Sequence, residues 1–268
     1  KLKLDDMVFG DGSLLGTEFG LPLYKDEPAK ITLDHLLTHT SGGWENNDGD
    51  PMFRQQQMNQ RQLISWTIKN RPLDNPPGEK WAYSNFGYCL IGRIIEKVTG
   101  RPYADHVKEE ILSKCGITDM RIAGSLLSQR APNEVVYYGE INDGPYWMNV
   151  SRMDSHGGWI ATPTDLVNFL MRVDGDMTVP DILKPESLKT MTTATPVRWN
   201  YGRGWNVNRM GNVWHSGSLP GTTTIAVRTR IGLNWAAFCN TRKSKTNIAG
   251  ELDRLMWNMV RYVNKWQV

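Results

Sequence analysis

The hydrophobic positions between residues 85 and 99 recur at three- and four-residue spacing, which is the period of an amphipathic helix. Ser84 or Asn85 can cap the start of this helix, and Gly100 before Arg101-Pro102 predicts its end. The apolar positions on the predicted face are Leu90, Ile91, Ile94, Ile95 and Val98. We therefore predict one long, buried helix directly after Tyr83-Ser84-Asn85.

Shorter helical patterns flank this helix, whereas residues 5–30 are broken by glycine and proline and predict irregular loop. Thr32 is a suitable N-cap for the first of the short helices, and Thr162 followed by Pro163 is a strong start signal for a later one. The polar segment 45–60 carries little pattern. The predicted short helices are 31–39, 62–70, 103–112, a helix starting at 163 and another starting at 185.

The last third of the chain changes to β-rich runs separated by glycine and proline, a pattern typical of an antiparallel meander. These runs are 205–208, 213–215, 223–228 and 233–239, and Val135-Val136-Tyr137-Tyr138 is a further possible strand. A C-terminal helix can cover the sheet with one apolar face. That face contains Ile248, Leu252, Leu255, Met256, Met259, Val260 and Val263.

The pattern as a whole predicts an α+β fold in a single unit, residues 1–268. A mostly helical lobe covers residues 31–195, and the antiparallel sheet with the C-terminal helix covers residues 200–268. We find no internal repeat and no low-complexity tract.

Composition and charge narrow the function. The chain has 268 residues, of which 40% are hydrophobic and 22% charged, as in an ordinary globular protein. The formal net charge is only +3 and neither sign is clustered, so a nucleic-acid partner has little support. No apolar run approaches the roughly 20 residues of a membrane span. Three scattered cysteines do not form a disulfide framework.

The candidate chemistry centres on Tyr83 and Asn85, which lie between the tight turn Pro76-Pro77-Gly78 and the long helix. A phenol and a carboxamide at such a junction are held still. The alternatives are a buried tyrosine bonded to a backbone carbonyl and an asparagine that caps the helix. Ser84 is a weak alternative nucleophile because no His-Asp pair is placed to activate it.

The histidines outside this stretch favour structural roles. His35 and His39 are four residues apart on a short helix, but the residues between them include no glutamate of the His-Glu-x-x-His type. Ring nitrogens near a helix end commonly bond to neighbouring backbone groups. His156 beside Gly157-Gly158 is interpreted as structural, with a groove-lining role as the alternative. Trp44, Trp159 and Trp205 are core or loop anchors, or border an apolar pocket.

Five motifs stand in order along the chain and together indicate a family. They are His39-Thr40-Ser41-Gly42, Pro77-Gly78 with Tyr83-Ser84-Asn85-x-Gly87-Tyr88, Gly157-Gly158-Trp159, Tyr201-Gly202-x-Gly204-Trp205 and His215-Ser216-Gly217-Ser218-x-Pro220-Gly221. In this order the chain resembles the serine β-lactamase and penicillin-binding-protein family, in its branch of class C β-lactamases, D-alanyl-D-alanine peptidases and esterases. The resemblance implies a β-lactamase/transpeptidase-like fold.

The resemblance also implies site residues for a covalent acyl-serine mechanism on a small ester or amide, with no metal and no organic cofactor. Tyr83 would be the general acid/base, Asn85 would hold the substrate amide, and His215 would occupy the Lys/His position on a strand. Ser216, Gly217 and Ser218 would line the substrate on that strand. Gly217 would keep it free of a side chain, and the Ser218 N–H would be an oxyanion donor.

The sequence departs from the family pattern in one respect: no serine is followed three residues later by lysine. In the family, the Ser-x-x-Lys helix and two strands precede a segment like Lys1-Leu2-Lys3-Leu4-Asp5-Asp6. We therefore expect the nucleophile on an upstream N-terminal segment of the same protein, and this segment would be a partner of the chain. The alternative is a catalytically inactive binding or scaffold protein. Histidine rather than lysine at 215 favours an esterase or peptidase over an efficient β-lactamase.

Overall fold

The computed structural model describes residues 2–141, 144–176 and 178–263. Its helices are α1 Leu33–Leu37, α2 Gln60–Asn70, α3 Asn85–Thr99, α4 Tyr103–Val107, α5 Pro163–Leu170, α6 Pro185–Thr192 and α7 Ile248–Tyr262. Its strands are β1 Leu23–Tyr24, β2 Glu27–Pro28, β3 Arg121–Ile122, β4 Trp159–Ile160, β5 Asn206–Val207, β6 Val213–Leu219, β7 Thr222–Arg228 and β8 Asn234–Cys239. These elements confirm the predicted α+β class.

Helix α3 forms the centre of the larger hydrophobic core, as the periodicity predicts. The Ser84 hydroxyl caps it by accepting the Gly87 N–H at 3.1 Å, and Gly100 ends it with a φ of 70°. The side chains that it buries completely are Phe86, Cys89, Leu90 and Ile94. Val98 was predicted on this face but is 44% exposed, because the last turn of the helix extends beyond the core.

The neighbouring helices begin at the predicted caps. The Thr32 side chain accepts the His35 N–H at the start of α1, and the Thr162 side chain accepts the Asp165 N–H at the start of α5. Helix α2 starts slightly earlier than predicted because Asn59 forms a capping box with Gln62. Helix α4 is shorter than predicted, since the chain widens into a π-helical turn over Lys108–Leu112.

The predicted meander is the antiparallel sheet β5-β6-β7-β8. In the register of β6 and β7, His215 lies opposite Ala226, and Gly217 lies opposite Thr224. Side chains alternate between the two faces of a strand. His215 and Gly217 therefore share one face of the sheet.

Helix α7 covers the other face of the sheet. Trp257 packs edge-on against Trp235 with 4.9 Å between ring centroids. The other α7 side chains in this contact are Leu252, Met256 and Val260. Leu255 and Met259 were predicted on the covering face, but they are 56% and 44% exposed because α7 buries a narrower stripe than the periodicity indicated.

The predicted strand Val135–Tyr138 does not form. Tyr138 makes only an isolated bridge to Thr241, and the Asn240 side chain donates to the Val136 carbonyl at 2.8 Å. The segment therefore pairs with the loop after β8, where no extended partner continues the ladder. In the described part of the chain, no helix has the length and apolar character to span a membrane.

Candidate active site

Backbone hydrogen bonds fix the position of Tyr83. The His39 carbonyl accepts the Ala82 N–H at 2.8 Å, and His39 Nδ1 accepts the Ser84 N–H at 3.1 Å. The Tyr83 carbonyl accepts the Asn46 N–H at 2.8 Å. His39 thus binds the chain on both sides of Tyr83, which confirms that this stretch is anchored.

Tyr83 meets His215 across the boundary between the helices and the sheet. Tyr83 Oη lies 3.3 Å from His215 Nε2, although the two residues are 132 positions apart in sequence. Their ring centroids are 6.1 Å apart. The structure thus brings together two of the residues that the family motifs indicated.

His39 lies beneath Tyr83 as the start of a buried hydrogen-bond chain. Because Nδ1 accepts the Ser84 N–H, the proton of the neutral imidazole is on Nε2, which donates to Tyr201 Oη at 2.9 Å. The ring of Tyr88 lies 5.1 Å from that of His39, and its hydroxyl donates to the Leu37 carbonyl at 2.9 Å. Burial lowers the pKa of His39 to about 3, so this histidine is neutral at pH 7.

Asn85 donates to the carboxylate of Asp50, a residue that no sequence motif marks. Asn85 Nδ2 donates to Asp50 Oδ2 at 2.7 Å, and Asp50 Oδ1 accepts the Met52 N–H at 2.9 Å. The Asn85 N–H donates to Asn46 Oδ1 at 2.9 Å. Asp50 is 7% exposed, and burial raises the pKa of its carboxyl above the usual value.

Arg152 holds the loop that carries Asp50. Its guanidinium is buried and donates to four backbone carbonyls. The acceptors are the carbonyls of Met52, Arg54, Gln55 and Met58, at 2.6–2.9 Å. The loop is therefore fixed by backbone contacts, and the positive charge of Arg152 favours the ionised form of Asp50 without a direct hydrogen bond in the described chain.

The two groups that face each other are uncharged at neutral pH. Burial, with a smaller contribution from the Asp50 charge, raises the pKa of Tyr83 to about 12. Burial lowers the pKa of His215 below its usual value, and the Ser216 backbone opposes this in part. The arrangement can exchange a proton between a phenol and an imidazole. At neutral pH, His215 is a poorer cation for a substrate carboxylate than its ordinary pKa implied.

The register of β6 assigns different contacts to the three residues after His215. Ser216 and Ser218 lie opposite Ile225 and Thr223, so their side chains point away from the His215 face, and both are exposed. Only their backbone groups are placed for a ligand beside His215. Gly217 shares the His215 face, where a Cβ would lie 2.5 Å from Thr224 Oγ1.

The edge of β6 beside the candidate site is open within the described residues. Strand β5 pairs with Val213 and Trp214 only, so the backbone from His215 to Leu219 has no strand on that side. An open edge can accept an extended ligand backbone. The Ser218 N–H therefore stays a candidate oxyanion donor.

The alternative residues have other partners. The Ser84 hydroxyl is buried and donates to the Trp44 carbonyl at 2.8 Å, which fits a helix cap and not a nucleophile. His35 Nδ1 accepts the Thr32 N–H, as the structural interpretation required. His156 lies near Asp154, Arg152 and Arg93, and burial lowers its pKa to about 4.

The pocket-bordering alternative is wrong for Trp44, whereas Trp159 is only partly buried and has the contacts of a core anchor. Trp44 is 2% exposed and packs edge-on against Phe86, within the core. Trp159 packs on a second hydrophobic cluster around Leu112 and donates its indole N–H to the Asp154 carbonyl.

Sequence reasoning missed Asp50 and gave His39 no part in the site. The local signal for Asp50 was the pair Asp50-Pro51, which is typical of a helix start. In the structure, Asp50 is the N-cap of a 3-10 helix over Pro51–Phe53. His39 was contained in the His39-Thr40-Ser41-Gly42 motif. No group of three or more metal-ligating side chains occurs in the described ranges.

Comparisons with known proteins agree with this architecture. A family profile described as Beta-lactamase matches residues 1–255. Penicillin-binding protein 4* of Bacillus subtilis (strain 168) is 28% identical over 81% of this chain and 54% of its own length. A putative D-alanyl-D-alanine carboxypeptidase of Escherichia coli (strain K12) is 26% identical over 53% of this chain and 38% of its own length. The chain thus spans about half the length, or less, of these relatives.

The solved structures show the same fold. The D-amino acid amidase from Ochrobactrum anthropi SV3 superposes with a TM-score of 0.73 at 23% identity, over 98% of this chain and 79% of that chain. This likeness confirms the predicted α+β fold of the β-lactamase/transpeptidase type.

Proposed function

Because the chain belongs to the Beta-lactamase family, we propose that it contributes one wall of the active site of a serine hydrolase. This membership confirms the resemblance that the motifs indicated. The observation that supports the proposal most directly is the 3.3 Å approach of Tyr83 Oη to His215 Nε2 beside an open strand edge. The proposed reaction is cleavage of an ester or amide through an acyl-serine intermediate.

Tyr83 is the proposed proton carrier. With a pKa of about 12 it is a phenol at neutral pH, so it can donate a proton to the leaving oxygen or nitrogen as the bond to the acyl carbon breaks. To remove the proton of the attacking serine, the phenolate must first be stabilised by a positive charge. We propose that a lysine of a Ser-x-x-Lys segment supplies this charge.

The serine belongs to the same proposed segment, upstream of residue 1. Its oxygen would attack the acyl carbon, and the carbonyl oxygen would become an oxyanion that the Ser218 N–H can bind. Water would then hydrolyse the acyl-serine ester, releasing the acid and returning the proton to the serine oxygen. No metal and no organic cofactor takes part in the proposed steps.

The names of the similar proteins favour an amide over an ester as the natural substrate. They include a putative D-alanyl-D-alanine carboxypeptidase and a D-amino acid amidase. The neutral state of His215 gives no strong cation for a substrate carboxylate at this strand. We therefore propose an amide substrate whose recognition does not depend on a carboxylate beside His215.

The test uses the complete gene product. We expect a fluorophosphonate probe to label it on a serine upstream of residue 1. We expect Tyr83→Phe to lower turnover of a chromogenic ester by about 100-fold or more. Tyr138→Phe is the matched control, since Tyr138 is 60% exposed and outside the site. Unchanged turnover in Tyr83→Phe would refute the role of Tyr83.

The alternative of an inactive binding or scaffold protein makes the opposite prediction. It requires that no serine of the complete gene product reacts with the fluorophosphonate, while the protein still unfolds cooperatively. The encoded sequence upstream of residue 1 is the cheapest first check, because it either contains Ser-x-x-Lys or does not.

A further inference from the structure

A cleft of about 590 Å³ lies outside the candidate active site. Its lining comes from segments 122–129 and 146–151 and from Gln56, and it includes none of the proposed catalytic residues. The ring of Phe53 lies 6.2 Å from that of Trp147, which is part of the lining. We call this feature the Trp147 cleft.

The lining of the Trp147 cleft is uncharged. None of the twelve described residues that line it is an aspartate, glutamate, lysine, arginine or histidine. The chain as a whole is 22% charged, and charged side chains concentrate at the surface, so roughly two or three would be expected in a surface cleft of this size. Phosphates and nucleic acids need cations for binding. The lining therefore favours an uncharged ligand.

Trp147 presents an aromatic face on an anchored backbone. It is 50% exposed, whereas the next residue, Met148, is 3% exposed. The Asn149 N–H donates to Gln56 Oε1 at 2.9 Å, which holds the same segment from the other side. The Trp147 indole N–H has no acceptor within the described residues. The ring and its donor are thus both available to a ligand.

Gln129 and Ser125 add uncharged donors to this lining. The N–H groups of Ser125 and Leu126 both donate to Gln129 Oε1, at 2.9 and 3.0 Å. A backbone N–H only donates, so this atom is the amide oxygen, and the Gln129 NH₂ is left without an acceptor in the described chain. Ser125 Oγ accepts the Ser151 N–H at 3.4 Å, which leaves the Ser125 hydroxyl proton free to donate.

We propose that the Trp147 cleft binds an uncharged sugar ring stacked on Trp147. One face of a pyranose ring carries C–H groups that the neighbouring oxygens make slightly positive, and the face of an indole is negative. The hydroxyl and ring oxygens at the edge of the sugar accept from the donors of Gln129 and Ser125. Binding here requires none of the proposed catalytic residues, so it goes beyond the proposed hydrolase function.

Other uncharged ligands fit the cleft less well. An extended peptide binds along a free strand edge, but the strand beside this cleft, Arg121–Ile122, has only two residues. A wholly apolar ligand would cover the donors of Gln129 and Ser125 without giving them acceptors, which is unfavourable. A sugar supplies both an apolar face and acceptor oxygens.

Titration calorimetry of the complete gene product tests this binding. The probes are cellotriose and N,N′,N″-triacetylchitotriose, two uncharged trisaccharides that differ in their acetamido groups. We expect at least one to bind, and Trp147→Ala to weaken that binding by about tenfold or more. Trp199→Ala is the matched control and should bind like the wild type, since Trp199 is 65% exposed, lies over Arg209 and is not in the lining.

Two conservative variants separate the stacking from the hydrogen bonds. Trp147→Phe keeps an aromatic face and should retain binding within about threefold. Gln129→Glu keeps an oxygen for the two backbone N–H groups but replaces the NH₂ by an acceptor, so binding should fall by about tenfold while urea unfolding stays close to that of the wild type. Gln129→Glu also serves if Trp147→Ala fails to fold.

Several results would overturn the sugar site. They are no binding of either trisaccharide, equal dissociation constants in the wild type and Trp147→Ala, or a loss in Trp147→Phe as large as in Trp147→Ala. Binding of acetyl-tetraalanine amide in place of the sugars would assign the cleft to a peptide. None of these results bears on the hydrolase proposal, because fluorophosphonate labelling and ester turnover depend on residues that these variants leave intact.

Discussion

The imidazole of His39 stacks beneath the phenol of Tyr83, with 4.1 Å between ring centroids and 36° between ring planes. The same imidazole accepts the Ser84 N–H and donates to Tyr201. One buried side chain thus supports the ring of Tyr83 and holds the backbone that follows it. His39 also has a positive φ of 57°, a conformation that a tight junction imposes on it.

His39→Phe should destabilise the protein and reduce the activity. Phenylalanine keeps a ring under Tyr83 but leaves the buried Ser84 N–H without an acceptor, at a cost of about 1–3 kcal/mol in the free energy of unfolding. Urea unfolding and kcat for a chromogenic ester measure the two effects. His35→Phe is the control, since it removes one hydrogen bond at a partly exposed cap. Equal losses in both variants would contradict a special role for His39.

The stability should fall as the pH falls from about 6.5 toward 3. Folded His39 takes up its proton only near pH 3, whereas an unfolded histidine does so near 6.5. Between these values the unfolded state binds more protons, so acid favours unfolding. His39→Gln should make the pH dependence of the free energy of unfolding shallower by about 1.4 kcal/mol per pH unit in this range.

Urea titrations at pH 7, 6, 5 and 4 measure that slope. His106→Gln on helix α4 is the matched control for a histidine-to-glutamine change away from the site. An unchanged slope in His39→Gln would show that His39 is not the buried neutral group that the structure indicates.

Gly42→Ala should destabilise the protein by about 3 kcal/mol or more. Gly42 has a φ of 95°, and a Cβ there would lie 2.2 Å from the Asn75 carbonyl oxygen, a backbone atom that cannot move away cheaply. Gly100→Ala measures the backbone strain of a positive φ without a steric clash. Gly100 has a φ of 70°, and no atom lies within 4 Å of an added Cβ. We expect only about 1 kcal/mol there, measured by the same urea unfolding.

Local pattern was sufficient for the main elements of the fold. Helix α3 has strong periodicity, a serine cap and a terminal glycine, and the β-rich runs after residue 205 alternate with clear turns. Where a prediction was wrong, the cause lay in tertiary contacts, which the local pattern does not contain. The segment Val135–Tyr138 has the residue types of a strand but meets a loop, and Leu255 lies beyond the stripe that α7 buries.

The candidate site was predictable only where a motif marked it. Tyr83, Asn85 and His215 belong to such motifs, but the distance between Tyr83 and His215 follows from how the loop before α3 meets β6 in space and not from either motif. Asp50 lies in a polar segment without periodicity, and its role depends on the side chain that it meets in space. A carboxylate gives no signal in sequence until its partner is known.

The bonds of Arg152 also bear on the order in which the molecule assembles. Its guanidinium joins carbonyls that are 94 to 100 residues earlier in the chain, whereas the cap of α3 spans three residues. Contacts of long sequence separation form late, because a large loop must close before they stabilise anything. During synthesis on a ribosome, the loop that carries Asp50 can therefore take its final conformation only after residue 152 has emerged. We expect α3 to form before this loop does.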